Sequence, residues 1–244
     1  MHLHVIGDSL AMERPEEGIG PEDLYWQRLA AHPGHTVTAA VKREQDSAQA
    51  WAAAWKAAHD GEITDPLAAC DVLILHLGIV DCFPRVFTRR ERAFLSWLKR
   101  VRLGWLSTRV IAFGSAHRYA ITRLRRICYV SPAAYPVLLE RIIVHARARG
   151  GAQRVCLFSI LEPVADKVAR NYGLVEAVAA YNDALRGLAA RLPGVVFLDL
   201  NAAFGDARDR LLLDDGYHIT REAHARIAAC VQAQLGGDNV IITT

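Results

Sequence analysis

"VIGDSL", residues 5–10, ends an apolar run at a glycine and then presents an acid and a hydroxyl, Asp8 and Ser9. The preceding "HLHVI" (2–6) reads as a buried strand, so the turn exposes Ser9 at a strand's carboxyl end. Four more runs share this character: "HTVTAAV" (35–41), "CDVLILHLG" (70–78), "RVCLFSI" (154–160) and "VVFLDL" (195–200). Near-continuous apolar runs are what strands covered on both faces require. Helical patterns separate them. "PEDLYWQRLAAH" (21–32) opens with Pro21 and early acids, and "DSAQAWAAAWKAAH" (46–59) is rich in alanine. "SPAAYPVLLERIIVHARARGG" (131–151) has a Ser131 cap, with Pro136 delaying or kinking the regular part. Residues 172–194 and 220–237 complete the set. Alternation of this kind implies right-handed crossovers on a parallel sheet. The expectation is one domain over residues 1–244, a three-layer α/β/α fold with a flavodoxin-like five-stranded parallel sheet.

Apolar residues make up 52% of the chain, an ordinary share for a globular protein. Charge interrupts every long apolar stretch, so no membrane-spanning helix is expected. The start, "MHLHVIGDSL", reads as a strand and not as a secretion signal. The five cysteines show no metal-ligand spacing, and their odd number argues against a full set of disulfides. A reducing cytoplasm is the expected location. The net charge of +3 conceals an asymmetry. Residues 83–129 carry eleven arginines and Lys99 against one acid, Glu91, a local balance of +11 that leaves −8 elsewhere. Phe87, Phe94, Trp97, Leu98 and Trp105 lie among those arginines. The stretch reads as a basic helical insert or lid after the third strand, either a solvated face or a device that recruits an anionic partner. Nucleic acid is not expected, because no recognised binding motif accompanies the charge.

Ligands of open α/β sheets bind beyond the carboxyl ends of the strands. Three polar clusters fall there: Asp8-Ser9, "GIVDC" (78–82) and "LLLDDGYH" (211–218). A serine nucleophile needs an adjacent base, and the base needs an orienting group. Asp215 and His218, three apart around Gly216, can turn a carboxylate onto one imidazole nitrogen while the other faces the nucleophile. Asp214 competes for the orienting role. Thr220 can cap the last helix, and Asp8 suits a turn-holding role.

Those residues resemble the SGNH/GDSL hydrolase superfamily. "GDSL" (7–10) is similar to its first block, and "DDGYHITREAHARIA" (214–228) to its last, where an Asp-x-x-His pair precedes the C-terminal helix. The resemblance implies Ser9 as nucleophile, His218 as general base, Asp215 as its orienter and the Ser9 N–H as an oxyanion donor. The family's two middle blocks supply a glycine N–H and an asparagine amide to the oxyanion site. Here "VKREQDSAQA" (41–50) puts Gln45 at the glycine position, and "GIVD" (78–81) puts Val80 at the asparagine, while Gly78 and Asp81 remain. Losing one oxyanion donor typically costs about 10²–10³ in rate. Three explanations stay open: a donor from elsewhere, with Arg85 or another arginine of the insert the candidates; an acyl-transfer step with other geometric demands; or a site given over to binding only.

Other positions receive structural readings. Asp81 reads as a loop anchor and Cys82 as a packing residue. His2, His4 and His76 read as satisfied near-core groups, and His117, His145 and His224 as solvent-facing, with His224 a reserve base. No HExxH, CxxC pair or glycine-rich phosphate loop occurs, so neither a metal nor a cofactor is expected. The expected activity is serine-dependent hydrolysis of an O-acyl ester of a small or carbohydrate-like metabolite, anionic or carrier-bound, through an acyl-enzyme. Two alternatives accompany it: O-acyl transfer to a sugar or metabolite hydroxyl, and a catalytically silent binding protein on the same fold.

Overall fold

The five apolar runs become β1 (His2–Gly7), β2 (Thr36–Val41), β3 (Val72–His76), β4 (Arg154–Phe158) and β5 (Val195–Leu198). In the computed structural model, which describes residues 1–59 and 66–236, they form one all-parallel sheet in the order β2-β1-β3-β4-β5. This is the flavodoxin-like order. After β1 the chain makes short 3-10 turns and then α1 (Tyr25–Ala30); after β2 come α2 (Ser47–His59) and α3 (Pro66–Ala69). β3 leads into a single turn, α4 (Ile79–Cys82), then α5 (Arg89–Arg100), α6 (Gly104–Ala116), α7 (Arg118–Arg125) and α8 (Ala134–Ala148). β4 is followed by α9 (Ala165–Arg170) and α10 (Leu174–Arg191), and β5 by α11 (Leu200–Phe204), α12 (Arg208–Leu211) and α13 (Arg221–Gly236).

Side chains alternate across a strand, and here both sets are apolar. Leu3, Val5, Val72, Ile74, Cys156 and Phe158 pack under α1 and α13, against Tyr25, Leu29, Ile227 and Val231. Ile6, Leu73, Leu75, Val155 and Leu157 face the other way, against Ala50, Leu139, Ile142 and Leu185 of α2, α8 and α10. All five residues of β3 are buried. β2 departs from the two-sided burial its sequence suggests: it is an edge strand and none of its residues is fully buried.

Two helix starts differ from expectation. Pro21–Asp23 is a 3-10 turn, and α1 begins only at Tyr25. α8 begins at Ala134, whose N–H is accepted by the Ser131 hydroxyl at 3.2 Å, so Pro136 falls in the first turn where no intrahelical bond is lost. The histidines need more correction. His224 is buried, not solvent-facing; its ring stacks on Tyr25 and its Nδ1 accepts the Tyr25 N–H at 3.3 Å. His145 is half-buried against the edge of Trp51. His76 is buried, but its Nδ1 has no partner among the described residues, and burial pulls its pKa down to about 3. His4 has the Thr38 hydroxyl at 2.8 Å. Among the described residues no helix is long and apolar enough to cross a membrane.

The basic stretch folds as α5–α7. Thr88 caps α5 reciprocally with Glu91, and Glu91 also pairs with Arg125, tying α5 to α7. Those bonds pull the Glu91 carboxyl down to about 2. Phe94, Trp97, Trp105 and Phe113 remain exposed.

Gly78 joins β3 to α4 at φ +135, where an added Cβ would lie 2.6 Å from Ile160 Cδ1 and 2.7 Å from Tyr135 Oη. That hydroxyl is fixed, donating to the Leu77 carbonyl at 2.7 Å. Gly78→Ala is therefore expected to lower unfolding stability by about 2 kcal/mol or more, read as a reduced urea midpoint at unchanged m-value.

Candidate active site

Strand order reverses between β1 and β3, so a crevice opens at their carboxyl ends. From β1, the Asp8 N–H reaches the His76 carbonyl at 3.3 Å and its Oδ1 accepts the Leu10 N–H at 2.9 Å. Asp8 thereby caps a single 3-10 turn, Ser9–Ala11, and Ser9 stands at the turn's first position. Asp8 holds the turn, as expected. Its Oδ2 is buried without a partner among the described residues, and burial raises the carboxyl to about 7.

The opposing wall comes from the loop between α12 and α13. The Leu213 N–H donates to the His218 carbonyl at 2.7 Å and the Gly216 N–H to the Leu213 carbonyl at 2.8 Å. Gly216, at φ +66, passes so close to Val164 that an added Cβ would lie 2.5 Å from Cγ2. Inside this turn Asp215 Oδ1 accepts the N–H groups of Tyr217 (3.0 Å) and His218 (2.9 Å), while Oδ2 lies 2.5 Å from His218 Nδ1. His218 Nε2 lies 3.0 Å from Ser9 Oγ. Thr220 Oγ1 accepts the Ala223 N–H at 3.3 Å at the start of α13. An acceptor-only carboxylate on Nδ1 places the ring proton there, which leaves Nε2 to accept from the serine hydroxyl. Asp214 is exposed and takes no part.

Burial acts against the charged forms of both partners. It lowers the His218 pKa below its ordinary 6.5, an effect the Asp215 carboxylate opposes. Burial also pushes Asp215 upward, but the bonds from His218 and Tyr217 outweigh it and hold the carboxyl below its usual value.

Ser9 and His218 open onto a cavity of about 390 Å³ whose walls include Val80, Arg85, Arg118 and Tyr217. The structure brings Val80 and Arg85 into the walls of the cavity that Ser9 also lines, but not every residue of the middle blocks. Gln45 is buried outside the cavity lining and its N–H donates to the Lys42 carbonyl at 3.2 Å; Glu44 lines the wall instead. The turn at Lys42–Gln45, with Glu44 at φ 57, claims that amide. Gly78 and Asp81 also lie outside the lining. Asp81 accepts the Ser47 N–H at 2.9 Å and its hydroxyl at 2.6 Å, anchoring the start of α2 to α4. Cys82 is buried and its thiol pKa is pushed up, a packing residue. His224 points into the α1–α13 interface and is no reserve base.

The site also has residues that sequence reasoning missed. Tyr217 lay inside a quoted motif; its ring meets Phe83 edge-on at 5.1 Å and carries the Lys167 ammonium 5.1 Å from its centroid. Arg118 lines the cavity from within the basic insert that the charge excess marked, whereas Lys167 and Arg170 line it with no local signal to mark them. Among the described residues no group of three or more His, Cys, Asp or Glu is placed to hold a metal ion.

The sequence profile of the GDSL-like Lipase/Acylhydrolase family matches residues 5–226. No curated protein matches the chain. Solved structures of the same fold include TesA, at 18% identity and TM-score 0.59, covering 96% of this chain and 98% of that one. LAE5, an alpha/beta hydrolase enzyme from the metagenome of Lake Arreo, Spain, is 17% identical at TM-score 0.61, covering 96% and 94%. A catalytic mutant of Axe2, an acetylxylan esterase from Geobacillus stearothermophilus, is 13% identical at TM-score 0.57, with the same coverage. At such identities the likeness is one of fold.

An NMR titration of the imidazole tests the local electrostatics without reference to turnover. The His218 midpoint is expected below 6.5, with the ring neutral above it and cationic below. Asp215→Asn removes the anion that favours the cation, so the midpoint falls further. Because the unfolded chain binds this proton more tightly, His218 makes stability rise with pH through the window between the two values.

Proposed function

The chain belongs to the GDSL-like lipase/acylhydrolase family, a family of serine hydrolases, and from that premise we propose that it is an esterase cleaving O-acyl esters of small molecules through an acyl-enzyme. His218 Nε2 takes the Ser9 proton as Oγ attacks the ester carbonyl. Asp215 holds the imidazole in the required tautomer and stabilises the imidazolium that forms. Collapse of the tetrahedral intermediate expels the alcohol, which receives the proton from His218. Water, deprotonated by the same imidazole, then releases the acid and restores Ser9.

The observation that most supports this reading is the unbroken relay from Ser9 Oγ (3.0 Å) through His218 to Asp215 (2.5 Å). A silent binding protein would have no use for that alignment. The oxyanion is assigned to the Ser9 N–H, which meets no acceptor among the described residues, and to Arg85. Arg85 lines the cavity, bonds the Val80 carbonyl at 2.9 Å and keeps a buried Nε without a partner among the described residues. In this assignment the guanidinium replaces the amide that Val80 cannot supply. Acyl transfer to an alcohol is the second reading, favoured by an adjoining lobe of about 430 Å³ that shares Arg85 and Ser115 with the first and has room for an acceptor.

Exposure to a fluorophosphonate should phosphonylate Ser9, detected by mass spectrometry; folded protein left unlabelled would overturn the proposal. Ser9→Ala should lower kcat by about 10³-fold or more. Arg85→Met should lower kcat by about 10²–10³-fold with little change in KM, as expected of a donor that acts in the transition state.

A further inference from the structure

The two lobes adjoin, with Glu44, Arg85, Ser115 and Arg118 in the walls of both, and this shared boundary is here called the neck. The charges around that neck are unequal in how they are satisfied. Three insert arginines have a carboxylate: Arg89 pairs with Asp46, Arg92 with Glu44 and Arg125 with Glu91. Glu44, the acid of the neck, is thus already held by both terminal nitrogens of Arg92, at 2.7 and 3.0 Å. Arg118 has no carboxylate within ion-pair distance among the described residues. Its Nε donates to Asn171 Oδ1 and its Nη2 to the Pro84 carbonyl at 2.9 Å. Nη1 has no protein acceptor among the described residues.

The nearest charges make matters worse for it. Arg85 and Arg118 both flank the Phe83 ring, at 5.6 and 5.4 Å from its centroid. Lys167 and Arg170 line the same lobe. Lys167 has only the exposed Asp166 at 3.3 Å, and Arg170 pairs with no carboxylate among the described residues. Arg118 is half-buried and Arg170 exposed; a half-buried guanidinium with no carboxylate of its own is costly, and an anion bound beside it offsets the cost. Burial, with help from Arg85, already lowers the Arg118 pKa. Two neutral acceptors fix the guanidinium plane, so its free edge is preorganised for a forked oxyanion.

We propose that this neck is an oxyanion-binding subsite, in which Arg118, with Lys167 and Arg170, holds a carboxylate or phosphate carried by the ester substrate. The inference rests on the esterase reading and names its substrate class: small anionic esters. Arg85 acts on the reacting carbonyl, whereas Arg118 reads the remote charge. The two roles separate kinetically.

The test compares 4-acetoxybenzoate and 4-acetoxyphenyl phosphate with the neutral methyl 4-acetoxybenzoate at low ionic strength. An anionic ester should exceed the neutral one in kcat/KM by about tenfold or more, the scale of one charge-assisted hydrogen bond. The better of the two anionic esters identifies carboxylate or phosphate as the group read. Arg118→Met should bring the ratio close to one and Arg170→Gln should reduce it, whereas Arg85→Met should slow all three esters alike. Because the ratio is taken within one preparation, loss of folded protein cancels. A wild-type ratio near one, or a ratio that survives Arg118→Met, overturns the inference while leaving the esterase intact. If no ester is cleaved and Ser9 resists the fluorophosphonate, the esterase reading fails by itself. Calorimetric binding of benzoate and phenyl phosphate then decides the subsite: binding that weakens about tenfold in Arg118→Met supports it, and equal or absent binding overturns it.

Discussion

The hydrogen bond from the Ser9 hydroxyl to the His218 imidazole joins positions 209 residues apart. Neither side chain reaches the other unless the whole sheet is assembled between them. β1 must sit beside β3 to support the turn at Asp8, because the Asp8 N–H is held by the His76 carbonyl. α13 must dock on the same sheet face as α1, because the loop carrying Asp215 and His218 is its immediate approach. A flavodoxin-like order meets both demands, since its reversal point puts the ends of β1 and β3 side by side.

The same arrangement makes the middle of the sheet the least forgiving part of the chain. β3 is buried throughout and leaves its layer through Gly78, against Ile160 and the Tyr135 hydroxyl. That tight exit sets the position of α4, and α4 in turn sets Val80 in the cavity wall and Asp81 against Ser47. The cavity wall beside Ser9 is therefore fixed from the core outward.

Much of this was legible in the sequence. The five strands follow from continuous apolar runs, and both ends of the relay stood in short local motifs, "GDSL" and "DDGYH". Asp215 could be favoured over Asp214 because a carboxylate three residues before the imidazole can turn back onto it. What escaped depended on contacts between distant segments. Gln45 aligned with a backbone donor, yet its N–H is spent on Lys42, a matter of turn geometry. His224 shares a helix with exposed polar residues, but α1 covers it. The arginines of residues 83–129 were visible as a charge excess. Which of them have carboxylates depended on where Glu44, Asp46 and Glu91 fall in space.

The separation between the two ends of the relay also bears on how the protein is made. Translation delivers the hydroxyl 209 residues before the imidazole. On the proposed chemistry, a nascent polypeptide that has not yet reached His218 carries an unactivated alcohol and leaves esters alone. On that chemistry, competence waits for α13 to dock on the sheet, and cleavage that frees α13 silences the site again.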